Sequence, residues 1–206
     1  DVMNSVLETG IRNVRNVDRF IFGEGSISEL DEILSKRRNS NSVVFLIDEY
    51  FERNPDTLGS LPCAENDKLI YVPTADEPIT EVIDNLAMEI SQQNDALPCA
   101  LVGIGGGITL DTTKAISNLL TNNGQAKDYQ GWDLVKVPGV YKIGVPTLSG
   151  TGAETTRTCI MTNRASGLKL GMNSDYTVFD QLILDPNLTL TVPQDQYFYT
   201  GMDAWI

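Results

Sequence analysis

The sequence predicts an α/β fold, a parallel sheet with helices on both faces. Three observations predict it. Short apolar runs alternate along the chain with segments of helical spacing, the pattern of strand–helix–strand units. The run Val43–Ile47 is apolar throughout and rich in β-branched residues, as a strand buried on both faces is. Residues 101–114 (Leu-Val-Gly-Ile-Gly-Gly-Gly-Ile-Thr-Leu-Asp-Thr-Thr-Lys) read as a buried strand that breaks into glycines and restarts as a helix.

Taken in order, residues 19–23 (Arg-Phe-Ile-Phe-Gly) form a short strand, followed by a helix near 26–36 that Ser26 caps. Val43–Ile47 is the next strand and ends at Asp48, and Leu69–Val72 is another. Between 78 and 94 the apolar residues Ile79, Val82, Ile83, Leu86, Ala87 and Ile90 recur at helical spacing. Cys99–Ile104 is a buried strand, and a helix runs from about 109 to 121. Asn123-Gly124 marks a turn, and Tyr141–Val145 is a strand that ends in Pro146-Thr147. Residues 158–184, with Gly167 and Gly171 as turn points, predict a hairpin-like excursion and a returning strand at Leu182–Leu184, ended by Asp185-Pro186. Residues 193–200 open a further helix with Pro193 in its first turn.

Composition narrows the function. An apolar fraction of 41% over 206 residues is enough for a real core. A net charge of −13, from 28 acidic against 15 basic residues, repels phosphate backbones, which argues against nucleic acid and anionic lipid as partners. Cys63, Cys99 and Cys159 are an odd set with no CxxC pair, which predicts reduced thiols in a cytoplasm. No secretory signal and no apolar stretch of about 18 residues is visible, so the expected location is cytoplasmic, without a membrane anchor. The absence of histidine rules out a Ser-His-Asp triad, a Cys-His dyad or a His-ligated metal within these residues. Chemistry must then come from carboxylates and lysines, from a cofactor, or from residues outside the sequence.

Three segments carry that chemistry. The glycine turn places backbone N–H groups and the positive end of a helix dipole together, a ready anion site whose natural occupant is a cofactor pyrophosphate. A tight turn without a ligand has the same look. Asp48, at a strand's carboxyl end, suits the ribose 2′- and 3′-hydroxyls and repels a 2′-phosphate, favouring NAD over NADP. It equally suits a loop-start Asp bonded to its own backbone. The acid precedes the glycines by 57 positions, so this is not the ordinary dinucleotide fingerprint, in which the glycines come first. The third segment, Pro146-Thr-Leu-Ser-Gly-Thr-Gly-Ala-Glu-Thr-Thr156, offers small hydroxyl residues and glycines directly after a strand.

Residues 103–115, 146–156 and 184–204 (Leu-Asp-Pro…Thr-Gly-Met-Asp-Ala) together resemble the iron-containing, metal-dependent alcohol dehydrogenases, over nearly the whole chain. The resemblance implies an N-terminal Rossmann-like nucleotide-binding domain, here 1–192, and an all-helical metal-binding domain of which 193–206 is the start and most is missing. Trp205-Ile206 at the end fits a fragment that would be inactive alone. By position, the resemblance assigns Asp48 to the adenosine ribose and Gly105, Gly106 and Gly107, with Ile108 and Asp111 beside them, to the pyrophosphate. Thr147, Leu148, Thr151, Thr156 and Thr158 would line the nucleotide and nicotinamide, Lys169 would touch the cofactor, and Asp203 would be the first metal ligand. The family usually has Ser where Ile108 stands, which removes one hydroxyl contact to the phosphates.

The implied reaction is hydride transfer between an alcohol or aldehyde and C4 of NAD, with Fe²⁺ or Zn²⁺ on the alcohol oxygen, in a homo-oligomer such as a dimer. Asn13-Val-Arg-Asn-Val-Asp-Arg-Phe-Ile-Phe-Gly23 resembles a branch that oxidises the C8 hydroxyl of 3-deoxy-manno-octulosonate in lipopolysaccharide biosynthesis. Two alternatives stay open: a dehydroquinate-synthase-like NAD and metal enzyme, and a nucleotide-binding module without catalysis.

Overall fold

The structure, a computed structural model, describes residues 15–39, 41–93 and 96–206. Asn13 and Val14, which open the octulosonate-like segment, and position 94 of the second expected helix lie outside them. In chain order the elements are β1 (Arg19–Phe22), α1 (Glu29–Ser35), β2 (Val43–Asp48), α2 (Tyr50–Arg53), β3 (Lys68–Val72), α3 (Thr80–Gln93) and β4 (Ala100–Gly105). They continue with α4 (Gly107–Leu119), β5 (Gly131–Trp132), β6 (Lys142–Pro146), β7 (Thr158–Asn163), β8 (Leu168–Asn173), β9 (Gln181–Leu184) and α5 (Gln194–Trp205).

Six parallel strands form the main sheet in the order β1-β9-β6-β4-β2-β3. Side chains alternate across a strand, and the sequence of β2 exploits that. Val44 and Leu46 join Leu101 against Ile83, Ala87 and Ile90 of α3 and Ala115 and Ile116 of α4. Val43, Phe45 and Ile47 face the other way, onto Leu30 and Leu34 of α1 and Phe51 of α2. Both faces are therefore covered, as the apolar run in β2 requires. The hairpin β7–β8 is antiparallel and, with β5 beside β8, makes a separate three-stranded sheet. Among the described residues no helix is long and apolar enough to cross a membrane.

Ser26 does not cap the first helix. It lies inside a one-turn 3-10 helix, Ser26–Ser28, and its buried hydroxyl has no hydrogen-bond partner among the described residues. The exposed N–H groups are taken instead by Asp185, 3% exposed, which accepts from Gly25 N (3.0 Å) and Ile27 N (3.1 Å) as well as from Asn187 N (3.1 Å). A carboxylate reached across the fold can do what a local hydroxyl was expected to do. Asp185→Ala should cost about 2 kcal/mol, because three backbone donors lose a charged acceptor at a half-exposed edge. Denaturant unfolding checks it, and an unchanged midpoint would remove Asp185 from that role. Pro193 likewise stands one position earlier than expected, as the residue flanking α5 rather than inside its first turn.

Candidate functional site

After β2 the chain moves outward to the edge strand β3, and after β4 it moves the other way to β6. Leaving β1 aside, the order reads 2-1-3-4-5. In such sheets a crevice opens at the carboxyl ends of the two strands whose connections diverge, here β2 and β4. A cleft of about 430 Å³ lies there. Asp48 from the end of β2, Gly106, Gly107 and Ile108 from the β4–α4 turn, and Thr147, Leu148 and Thr151 from the loop after β6 all line it.

Asp48 is the one charged side chain in that lining. Its Oδ1 accepts from Tyr50 N at 3.0 Å and from Thr74 Oγ1 at 3.3 Å. The first bond is the local turn that a loop-start Asp makes. Both bonds fall on one oxygen, which leaves Oδ2 for a hydroxyl ligand. Thr74, unremarked in the sequence, is itself held by Glu49, which accepts from its N–H at 2.9 Å. The signal for it was positional, since it follows the end of β3 as Asp48 ends β2.

The three glycines differ in what they face. A Cβ on Gly105 would meet Thr109 Oγ1 at 2.7 Å and Asp48 Cβ at 3.0 Å, so this glycine lets strand and helix pack. A Cβ on Gly106 would meet nothing nearer than Leu148 Cδ2 at 3.5 Å and would project into the cleft. On Gly107 it would press on Thr151 at 3.0 Å. The first intrahelical bond of α4 runs from Leu110 N to Gly106 O (3.0 Å), so the N–H groups of Gly107, Ile108 and Thr109 have no acceptor within the helix. These N–H groups and the positive end of the dipole of a 13-residue helix lie together at the turn that lines the cleft, with no cationic side chain in that lining.

The remaining expected contacts sit elsewhere. Asp111, Thr156 and Thr158 are behind the cleft, between α4 and β7. Asp111 Oδ2 accepts from Ile160 N at 2.9 Å, while Oδ1 lies 3.6 Å from Lys114 Nζ and has no hydrogen-bond partner among the described residues. Burial pushes the Asp111 carboxyl up against the pull of Lys114, and burial pulls the Lys114 ammonium down against the attraction of Asp111. Lys169 pairs with Glu77 on the exposed hairpin. Asp203 is exposed on α5. The sequence did not reveal that the far wall of the cleft comes from Leu188, Thr191–Pro193, Gln196 and Thr200. Gly150 makes that wall possible, since a Cβ there would come within 2.3 Å of the Thr200 carbonyl oxygen.

Comparison with known proteins joins this geometry to a family. The family model described as iron-containing alcohol dehydrogenase matches residues 18–186. The chain belongs to the iron-containing alcohol dehydrogenase family. A sulfoacetaldehyde reductase of Bilophila wadsworthia (strain 3_1_6) is 42% identical to this family member over 106 residues, 52% of this chain and 27% of that protein. An NAD-dependent methanol dehydrogenase of Bacillus methanolicus is 39% identical over 105 residues, 51% of this chain and 28% of the relative. An alcohol dehydrogenase structure from Oenococcus oeni superposes with a TM-score of 0.82 at 24% identity, over 94% of this chain and 51% of that one, and shows the shared fold. The chain thus spans about half the length of that solved relative.

Proposed function

We propose that the chain supplies the dinucleotide-binding part of an NAD-linked alcohol dehydrogenase acting on a small alcohol–aldehyde pair. The observation that carries this reading is the cleft between β2 and β4, where a lone carboxylate and a cation-free helix N-terminus face one cavity. In it, Asp48 accepts hydrogen bonds from the ribose hydroxyls. The N–H groups of Gly107, Ile108 and Thr109 hold the pyrophosphate, and Gly106 leaves room for it. Thr147 and Thr151 offer neutral hydroxyls, and Leu148 keeps water off one side. A 2′-phosphate would meet Asp48 with no basic side chain in the lining to balance it, which favours NAD over NADP. When bound, NAD supplies the nicotinamide carbon that accepts or donates the hydride. Gly105, Asp111, Thr156 and Thr158 serve the same site from behind, by holding the turn, the loop and β7.

Asp203 is proposed as one carboxylate ligand to a divalent metal. A catalytic site takes about three protein ligands. Among the described residues no group of three His, Cys, Asp or Glu is placed to hold one. The described residues therefore do not make a metal site by themselves. The names of the relatives favour a small aldehyde or alcohol as substrate. The octulosonate-like segment favours a narrower reading, a sugar-acid alcohol. Exposed Phe20 and Phe22 on edge strand β1 support a homo-oligomer.

Asp48→Ala should weaken NADH binding about tenfold, the worth of a charge-assisted hydrogen bond, and narrow the preference over NADPH. Fluorescence titration of the protein with each nucleotide checks it. Equal affinity in wild type and variant would take Asp48 out of the site. Turnover with NAD by the full-length protein, on a panel of short alcohols and 3-deoxy-manno-octulosonate, separates the two substrate readings.

A further inference from the structure

We propose that Lys114 is the positioning residue for the threonine-rich wall of the cleft, gripping the end of the 147–158 loop and setting nucleotide affinity without touching the nucleotide. This rests on the dinucleotide reading above. Lys114 lies two turns into α4, the helix whose N-terminus forms the anion cradle, and its side chain is fully buried (0% exposed). Its Nζ donates to Thr156 O (3.1 Å), Thr156 Oγ1 (3.0 Å) and Thr158 O (2.9 Å). The ammonium thus spends all three of its protons where the loop ends and β7 begins. One turn back, Asp111 takes Ile160 N, the next donor along the same strand. The opposite end of the loop is fixed as well, by Thr147 N donating to Gly105 O at 3.1 Å.

The loop that carries Thr147, Leu148 and Thr151 is therefore clamped at both ends to the strand–turn–helix unit that carries the glycines. The glycine turn and the threonine-rich wall of the nucleotide cleft are thus tied to each other by hydrogen bonds at both ends of the loop. A buried lysine is costly to desolvate, and methionine would fill the same volume without that cost. What methionine cannot do is hold two carbonyls and a hydroxyl. The position of the loop is the property that depends on the ammonium.

Amide hydrogen exchange and NADH titration on the same protein test this. Lys114→Met should speed exchange within 147–158 while leaving β2 and β4 protected, and should raise the NADH dissociation constant about tenfold. Thr156→Val, which deletes one of the three acceptors, should give a smaller rise, and the double variant should be no weaker than Lys114→Met alone. Asp67→Asn, at the opposite end of the sheet, is the control for general destabilisation and should leave NADH affinity unchanged. If Lys114→Met does not fold, Lys114→Gln keeps one donor and should show the same local exchange at lower amplitude. Unchanged loop exchange in the lysine variants, or an equal loss of affinity in Asp67→Asn, would overturn the proposal. Failure of the wild type to bind NADH would overturn the dinucleotide reading instead, and the exchange data would still decide whether Lys114 holds the loop.

Discussion

Gly106→Val should abolish measurable NADH binding, raising the dissociation constant a hundredfold or more, while the protein stays folded. Gly106 has φ −82° and ψ −169°, an extended conformation that a β-branched residue adopts readily. The nearest atom to a new Cβ is Leu148 Cδ2 at 3.5 Å, an ordinary van der Waals contact. Losing glycine also removes conformational freedom from the unfolded chain, which offsets the poorer helix cap, and the net change in stability should stay within about 1 kcal/mol. The cleft tells the other half. The valine methyls would occupy the space in which an anion reaches the N–H groups of Gly107 and Ile108, and losing two such charge-assisted bonds costs about 3 kcal/mol. That is roughly a hundredfold in affinity.

The neighbouring glycine should behave in the opposite way. A side chain at Gly105 collides with Thr109 and Asp48, so Gly105→Val should lower the melting temperature clearly, and its effect on binding would follow from the damaged turn. A Gly106→Val protein that holds NADH within threefold of wild type would mean that the glycine turn is a packing device throughout and not an anion cradle.

That contrast marks what a sequence can and cannot say. The alternation of apolar runs with helical segments carried the sheet, because a strand such as Val43–Asp48, buried on both sides, leaves few ways to cover it. Asp48 and the glycine turn were legible for a related reason, since the carboxyl ends of parallel strands point at one edge and ligands gather there. Which glycine is locked by packing and which borders open space in the cleft was not legible. Gly105 and Gly106 are adjacent and identical, and only the positions of Thr109 and Leu148 separate them. Asp111 and Thr158 show the same limit. Each is of the type and spacing expected of a cofactor contact, yet a helix turns Asp111 toward β7, where Ile160 offers its N–H. Long-range capping was equally invisible, for nothing local connects Asp185 to Gly25, 160 residues away.

Asp67→Ala should be the most destabilising of these substitutions, at about 3 kcal/mol, and should lower the melting temperature by roughly 6–12 °C at neutral pH. The Asp67 side chain is fully buried below the amino end of β2. It accepts from Val43 N (2.7 Å) and Ala64 N (2.7 Å) and is paired with Arg38, whose guanidinium also donates to Pro62 O (2.6 Å). Alanine would strand two backbone donors and leave the partly buried guanidinium without its counter-charge. Arg38 keeps some contact with water, which places the cost at the lower end of the range for a broken buried pair.

The pH dependence follows from the same contacts. Burial alone would raise the Asp67 carboxyl, but the Arg38 bond and the two N–H donors outweigh it and hold it below the usual carboxylate range. A depressed folded value means that the unfolded chain binds the proton first as pH falls. The stabilisation is thus complete above about pH 5, begins to fail near the unfolded value of about 4, and is gone below the folded one. Melting curves of wild type and Asp67→Ala should lie a constant distance apart from pH 8 to pH 6 and converge as pH drops from about 5 toward 3. A gap that persists unchanged to pH 3 would show that shape and packing at position 67, rather than the ionised carboxylate, hold the start of β2.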